Sequence, residues 1–171
     1  MSRPNLVTQY LNAPLPTVME QKKFPFRPNV TEVESLYRAI NRCVFDNQLT
    51  QPKITLYSLK DCWASCSWEL LRQRRSSWGK SGTWCTIQLN DKWYSPQWMV
   101  TILAHEMVHQ WQWDVYRWQH LKRNKREMFL LSGAHGPSFH SWRGKMEEWG
   151  IWLKITYSDT SWWRHQDLFR C

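Results

Sequence analysis

AHEMVHQ, residues 104–110, is the stretch that decides the fold, because it contains an H-E-x-x-H motif. Residues four apart on an α-helix lie on one face, so His105 and His109 can direct two imidazoles to one point. Zinc binds imidazole nitrogen in a tetrahedral shell and keeps a position for water at catalytic sites. Glu106 lies beside the first histidine and can act there as a general base.

The motif lies in an apolar segment that is typical of a buried helix. Residues 98–104 are WMVTILA, and Ser95 and Pro96 have the residue types of an N-cap and a first helical position. We expect this helix to run from Pro96 to about Trp118. Unpaired buried polar groups cost roughly 1–3 kcal/mol each, so two histidines and a glutamate inside such a helix need a partner. A metal ion is that partner; the alternative is a chance string whose histidines only cap or pack.

Composition limits the class of protein. The chain has 171 residues, of which 42% are hydrophobic, which predicts one globular domain with a sizeable core. It contains no apolar run of about 18 residues, so we expect no transmembrane helix and no membrane partner. The N-terminus leads into no apolar segment, and a secretory signal is therefore not expected. These features favour an intracellular protein, cytoplasmic or associated with DNA.

The cysteines predict free, buried thiols and no disulfide framework. Their number is odd and no secretory signal is visible, which disfavours pairing. Cys62 and Cys66 form a C-x-x-x-C pair that suggests a second metal site as an alternative, although cysteine is a common small core residue. The five positions are Cys43, Cys62, Cys66, Cys85 and Cys171.

The charge balance favours an acidic partner. There are 23 Lys and Arg against 14 Asp and Glu, a net charge of +9, together with 14 tryptophans. Basic side chains and indole rings are what proteins use to bind nucleic acid strands, although most of the rings are expected to fill the core. Two basic segments, 72–80 and 122–126, are candidates for such contacts, and the alternative is that both are ordinary solvated loops. The candidate nucleic-acid contacts are Arg72, Arg74, Arg75, Trp78 and Lys80 in the first segment and Lys122, Arg123, Lys125 and Arg126 in the second.

The chain divides into three parts by composition. Residues 1–30 are basic and rich in proline and predict an extended arm that wraps the domain or contacts a partner. Residues 31–157 form the folded domain, and the aromatic, basic tail 158–171 is expected to pack against it. Within the domain, Thr31 and Glu34 fit a capping box that begins a helix over 31–45. Alternation predicts strands at 53–57, 62–71 and 84–89, the last two joined as an antiparallel hairpin.

Two further histidines lie downstream, in the segment GAHGPSFH at 133–140. His135 precedes a helix that begins at Pro137 or Ser138 and stops at Gly150, so it is placed on a turn from which a third ligand can approach. His140 is the rival third metal ligand. The alternatives are that it contacts a metal-binding side chain, donates a hydrogen bond to the transition state, or is a structural histidine. Residues 151–157 alternate and predict a final strand.

The order of these features resembles the SprT-like zinc metalloprotease family, which includes the Spartan proteases of DNA–protein crosslink repair. The resemblance covers about residues 31–152. H-E-x-x-H alone is shared by many zincins, whereas its combination with H-G-P-x-F after an F-x-N-x-L type segment is more specific. The segments that carry it are CVFDNQL at 43–49, ILAHEMVH at 102–109 and HGPSFH at 135–140.

The resemblance implies an α+β zincin-like domain, with a small, mostly antiparallel sheet packed on helices and the H-E-x-x-H helix at the floor of a cleft. It implies that His105, His109 and His135 bind one Zn²⁺ ion and that Glu106 is the catalytic base. The implied activity is a zinc-dependent endopeptidase acting on DNA-associated or DNA-crosslinked proteins. Single- or double-stranded DNA would then be a partner besides the protein substrate.

The chain departs from the family pattern in two places. The segment between His109 and His135 is longer than expected, and no paired C-x-x-C motifs are visible. DNA binding would therefore come from the domain surface, its arms or a partner. Two alternatives stay open: a non-enzymatic zinc-containing module that binds nucleic acid or protein, and a narrow-specificity processing protease of a virus or mobile element.

Overall fold

A three-stranded sheet and the helix that carries the H-E-x-x-H motif form the centre of the structure. The computed structural model describes residues 5–17, 20, 23–70, 83–116 and 134–154. The elements are α1 (Leu6–Leu11), α2 (Val30–Cys43), β1 (Lys53–Tyr57), β2 (Ala64–Leu70), β3 (Thr83–Asn90), α3 (Pro96–Trp111), a π-helix (Gln112–Tyr116), α4 (Pro137–His140) and α5 (Arg143–Glu147).

The sheet is mixed, with the strand order β1-β3-β2. β2 and β3 pair in antiparallel fashion, with Cys66 opposite Ile87, as the predicted hairpin requires. β1 pairs with β3 in parallel, with Ile54 opposite Ile87, so β3 lies between the two earlier strands. The α+β class is confirmed, and one of the two strand pairs is antiparallel. This order leaves β2 at an edge of the sheet.

Helix α2 begins earlier than predicted. Asn29 is its N-cap, and the side chain of Asn29 accepts a hydrogen bond from the Glu32 backbone N–H at 2.9 Å. The Glu32 carboxylate accepts one in return from the Asn29 N–H at 2.8 Å. The predicted capping box of Thr31 and Glu34 is therefore wrong, because an asparagine two residues earlier satisfies the same orphan N–H groups.

The FDNQL segment reverses the chain after α2. Asp46 and Asn47 adopt positive φ angles of 53° and 58°, in the left-handed region that Asp and Asn tolerate better than other side-chain-bearing residues. The buried side chain of Asn41 then holds the returning backbone, donating to the Leu49 carbonyl at 2.9 Å and accepting from the Leu49 N–H at 3.2 Å. The segment thus directs the chain into β1.

The N-terminal segment is less extended than predicted. It contains the helix α1, which Asn5 caps by accepting from the Val7 N–H at 3.1 Å. Val7 is fully buried, and α1 packs against α2 and α3. Further on, Phe26 pairs with Trp93 through two backbone hydrogen bonds. The prolines alone indicate an extended arm. A helix forms because Asn5 caps it and the domain buries Val7.

Helix α3 begins where the sequence predicts. The Ser95 hydroxyl accepts from the Trp98 N–H at 3.2 Å, and Pro96 occupies the first turn. Nearly all of its residues are buried, which is typical of a helix enclosed by other elements. It ends at Trp111 and continues as a single π-helical turn, so the α-helical part is shorter than the prediction. Residues 117–133 lie outside the described part of the chain.

A buried polar network ties α3 to α2. The Tyr37 hydroxyl lies 2.8 Å from both the Thr50 carbonyl and Gln110 Oε1. Gln110 in turn donates to the Thr50 carbonyl at 2.8 Å and to the Asp114 carboxylate at 2.9 Å. Gln110 follows the second histidine of the motif directly, so this network fixes the helix at the position that carries the site.

The C-terminal part differs from the prediction in two ways. The predicted single helix is split into α4 and α5 at Ser141, whose hydroxyl donates to the Ser138 carbonyl at 2.8 Å. Gly150 ends the region with φ 73°, as expected. The predicted final strand is wrong for residues 151–154. The side chains of Ile151 and Leu153 are buried there, but the segment does not join the sheet. Residues 155–157 and the tail 158–171 lie outside the described part.

No helix within the described part of the chain has the length and apolar character needed to cross a membrane.

Candidate metal centre and active site

Three histidine side chains converge on one point. His105 Nε2 lies 3.1 Å from His109 Nε2 and 3.2 Å from His135 Nε2. The first two come from successive turns of α3, and the third comes from the turn that precedes α4. The ligand atoms of all three lie within 4.8 Å of one another, so the group can hold a metal ion.

The Nε2 atoms of His105 and His109 fit a metal and do not fit a hydrogen bond to each other. His105 Nδ1 lies 2.8 Å from the Lys154 carbonyl, and because a carbonyl only accepts, Nδ1 carries the proton and Nε2 presents a lone pair. His109 Nδ1 donates to Gln112 Oε1 at 2.9 Å, with the same consequence. Two facing lone pairs need a cation between them. Ligands of tetrahedral zinc at about 2.0–2.1 Å lie roughly 3.3 Å apart, close to the 3.1 Å and 3.2 Å that separate His105 Nε2 from the other two Nε2 atoms.

Burial prepares the three imidazoles for metal binding. It lowers the pKa of His105 to about 3, with a smaller contribution from the neighbouring charge of His109. Burial also lowers the pKa of His109 and of His135. The rings are therefore neutral near pH 7, and neutral imidazole is the form that coordinates a metal.

Phe139 forms the apolar backing of the centre. Its ring is fully buried, and its centroid lies 4.8 Å from the ring centroids of His105 and His135 and 5.1 Å from that of His109. One side chain thus packs against all three imidazoles and excludes water from that side. An apolar shell of this kind limits solvent access to a metal site. This contact explains why phenylalanine accompanies histidine in the HGPSF segment.

Glu106 lies on α3 between the two histidines of the motif and is 7% exposed. Burial raises the pKa of its carboxyl to about 7. A carboxylate with a pKa near the working pH can both accept and release a proton, which is the requirement for general acid–base catalysis. Glu106 and His109 line the same cavity, so a molecule bound in it meets both groups.

The cavity beside Glu106 has a volume of about 570 Å³. One wall is the edge strand β2 and the other is the π-helix that follows α3. The volume falls within the usual range of ligand-binding pockets, roughly 300–1,000 Å³. Its described lining residues are Ala64, Ser65, Cys66 and Trp68 from β2, Glu106 and His109 from α3, Gln112, Trp113 and Tyr116 from the π-helix, and Ala134 and Ser138.

His140 lies outside the group of converging ligand atoms. Its Nδ1 accepts a hydrogen bond from the Arg143 guanidinium at 3.2 Å. Of the two rival third ligands, the structure therefore brings only His135 to the other histidines. The predicted nucleic-acid contacts, in Arg72–Lys80 and Lys122–Arg126, lie outside the described residues.

Three contacts of the centre were not found from the sequence. Gln112 accepts from His109 and donates to the Ser138 hydroxyl at 2.9 Å, joining α3 to the segment that follows the third histidine. Its position three residues after His109, on the same helical face, was the available signal. The Lys154 carbonyl that orients His105 carries no sequence signal, because every residue has a carbonyl.

The described cysteines are free, as predicted. Cys43, Cys62, Cys66 and Cys85 form no disulfide, although Cys62 is exposed and does not fit the expectation of buried thiols. The suggested partner of Cys62 instead faces β3: Cys66 Sγ lies 3.5 Å from Cys85 Sγ. Burial raises the pKa of the Cys66 thiol, which keeps it protonated. Cys171 lies outside the described part.

Replacing Gln112 by methionine is expected to weaken metal binding by the three histidines roughly 10–100-fold, the usual cost of losing a partner that orients a histidine ligand. Methionine keeps the length of the side chain but cannot accept from His109 Nδ1, so the ring loses its fixed tautomer. Competition with a chromophoric chelator measures the affinity. Gln112→Glu is the matched control, since its carboxylate still accepts. Equal affinity for the methionine variant and the unaltered protein would contradict the orienting role.

Comparison with known proteins agrees with this geometry. A search of curated proteins found no match to the chain. The family model described as the SprT-like family matches residues 33–159, which include all three converging histidines and Glu106. The match spans well over half of the 171 residues. The chain therefore belongs to the SprT-like family, with a metalloprotease-like domain.

Proposed function

We propose that this protein is a zinc-dependent endopeptidase whose substrates are proteins bound or crosslinked to DNA. The observation that carries the proposal is the position of Glu106, a buried carboxyl group that lines the same cavity as His109, one of three converging histidines. A base, a cation site and a cavity of peptide size are the parts that metal-assisted hydrolysis of an amide requires.

The residues divide the chemical work as follows. His105, His109 and His135 would hold one zinc ion, which supplies a Lewis acid that acidifies water and polarises a peptide carbonyl. Glu106 accepts a proton from the attacking water and transfers it to the leaving amine. Burial raises the pKa of its carboxyl group, which favours uptake of that proton. The Lys154 carbonyl and Gln112 keep two of the rings in the required tautomer.

An extended peptide has a surface to bind beside Glu106. β2 pairs with β3 on one side and is an edge of the described sheet on the other. Edge strands offer backbone N–H and C=O groups to which a peptide can add as a further strand. Four residues of β2 line the cavity together with Glu106, so a peptide held by this strand lies at the reacting groups.

The choice of DNA-associated substrates rests on charge. The net charge of +9 favours an acidic partner, and the basic segments Arg72–Lys80 and Lys122–Arg126 flank the H-E-x-x-H helix in the sequence. DNA would recruit the protease to proteins held on the same strand.

A purely structural zinc site is the competing function, in which the protein only binds a partner. Such sites usually complete the tetrahedron with a fourth cysteine or histidine. Within the described residues the group contains three histidines and no fourth ligand of this kind. A structural site also has no use for a buried carboxyl group on the adjoining cavity.

The experiment is a cleavage assay with a basic DNA-binding protein as substrate. The purified protein is tested as isolated, after chelation, and after zinc is restored, each with and without single- or double-stranded DNA at low salt. We expect cleavage that needs the metal and increases with DNA. Absence of any cleavage, self-cleavage included, with zinc bound would favour the binding module. If added DNA does not change the cleavage rate and no DNA binding is seen at low salt, the proposal that the substrates are DNA-associated proteins is refuted.

A further inference from the structure

Aromatic rings line two sides of the cavity beside Glu106. Trp68 comes from the edge strand β2, and Trp113 and Tyr116 come from the π-helix. The rings of Trp68 and Trp113 stack, with centroids 4.8 Å apart and an interplanar angle of 29°. The stack thus joins two walls of the cavity, β2 and the π-helix, beside the reacting groups of α3.

The π-helix is part of this cavity wall. Gln112, Trp113 and Tyr116 are three of its five residues, and all three line the cavity. Single π-helical turns within longer helices occur frequently at functional sites. Trp113 is 38% exposed, one of the few large apolar side chains in the described part to be so. Part of the Trp113 ring is therefore accessible beside the reactive centre.

The rest of the described wall is small or uncharged. Its members are two alanines, a cysteine and three neutral polar residues: Ala64, Ala134, Cys66, Ser65, Gln112 and Ser138. The ionisable carboxyl and imidazole on the wall belong to Glu106 and His109, which the chemistry uses. No lysine, arginine or aspartate is among the described lining residues. A charged side chain placed here would lose its water without gaining a counterion, which is costly.

We propose that the cavity is a specificity pocket that binds an aromatic side chain of the protein substrate, at a residue adjoining the bond that is cleaved. The proposal rests on the proposed function, because Glu106 and His109 share the cavity with the rings. An aromatic side chain buries the largest apolar area, and ring pairs in stacked or edge-to-face contact gain stabilisation beyond area alone. The pocket would therefore prefer aromatic side chains to aliphatic ones and exclude charged ones.

The test uses zinc-loaded protein and fluorogenic peptides that differ at one position on either side of the scissile bond. Phenylalanine or tryptophan at that position is expected to raise kcat/KM roughly 10–100-fold over alanine, with leucine between and lysine and aspartate lowest. Trp113→Ala should remove most of this advantage, so that the ratio of kcat/KM for the phenylalanine peptide to that for the alanine peptide falls toward one. Tyr57→Ala is the matched control, since Tyr57 is 54% exposed on β1 and does not line the cavity.

A binding measurement separates this inference from the proteolytic function. Hydroxamates that carry a benzyl or a methyl group are titrated against the zinc-loaded Glu106→Gln protein, with and without Trp113→Ala. We expect the benzyl compound to bind about tenfold more tightly, and only when Trp113 is present. Aromatic-selective binding without cleavage of any peptide would support the pocket and overturn the protease. Cleavage with no aromatic preference, and equal binding of both compounds, would overturn the pocket and leave the protease standing.

Discussion

Replacing Glu106 by glutamine is expected to lower kcat/KM for protein cleavage by roughly 10²–10⁴-fold, the usual contribution of a general acid–base group. Glutamine has the same shape but cannot accept the proton of the attacking water. The loss should appear in kcat, because the peptide-binding wall of β2 and the π-helix is unchanged. Initial rates at several substrate concentrations, with the zinc content of each preparation measured, provide the test.

The fold and the metal content should survive this change. Glu106 is buried, and none of the three converging imidazoles depends on its carboxyl group for a hydrogen bond in the described contacts. Removing a buried group that can carry a charge also removes a desolvation cost. Glu147→Gln, an exposed position on α5, is the matched control and should keep full activity. A zinc-loaded Glu106→Gln protein with the unaltered protein's rate would disprove the role as base.

The part of the site that the sequence predicts is the part that local geometry determines. One-turn spacing brings His105 and His109 to the same face of a helix, and Ser95-Pro96 marks its start, so both follow from the chain alone. His135 is different, because its approach depends on where a separate segment folds back onto α3. Its place in the predicted site came from a turn position and the family resemblance. The structure places its Nε2 atom 3.2 Å from His105 Nε2.

The errors have a common origin in competition between local signals and packing. Thr31 has the residue type of an N-cap, but Asn29 lies earlier and completes its own reciprocal pair with Glu32. Residues 151–154 alternate like a strand, but Ile151 joins the core and the Lys154 carbonyl is used by His105. In both places the local pattern was present, but contacts with other residues determined which structure formed.

The orienting contacts could not be predicted because they depend on distances between segments. A glutamine three residues after a ligand histidine is a weak signal by itself. Its meaning comes from the Ser138 hydroxyl 2.9 Å away, which belongs to the segment that carries the third histidine. Gln112 thus couples the orientation of His109 to the position of the His135 turn. The centre is therefore held by links between segments as well as by spacing on one helix.

His135→Ala is expected to lower zinc affinity by more than about 100-fold, beyond the loss usual for a partner that only orients a ligand. Two imidazoles on α3 would remain, and a site with three protein ligands would become a weak one with two. Cleavage should fall to background at zinc concentrations that saturate the unaltered protein. Chelator competition measures the affinity, and the cobalt-substituted proteins report by their visible spectra whether four-coordinate geometry is kept.

His140→Ala is the matched control for that loss, since it removes a half-buried imidazole from the same short segment. Its Nδ1 already accepts from Arg143, and its ring lies outside the converging group, so zinc affinity should stay close to that of the unaltered protein. Circular dichroism of both apo variants checks that the overall fold is retained. If His140→Ala loses zinc and His135→Ala keeps it, the third ligand is His140 and the α4 segment must turn on metal binding. If both lose it, the two histidines act together and a three-histidine centre is wrong.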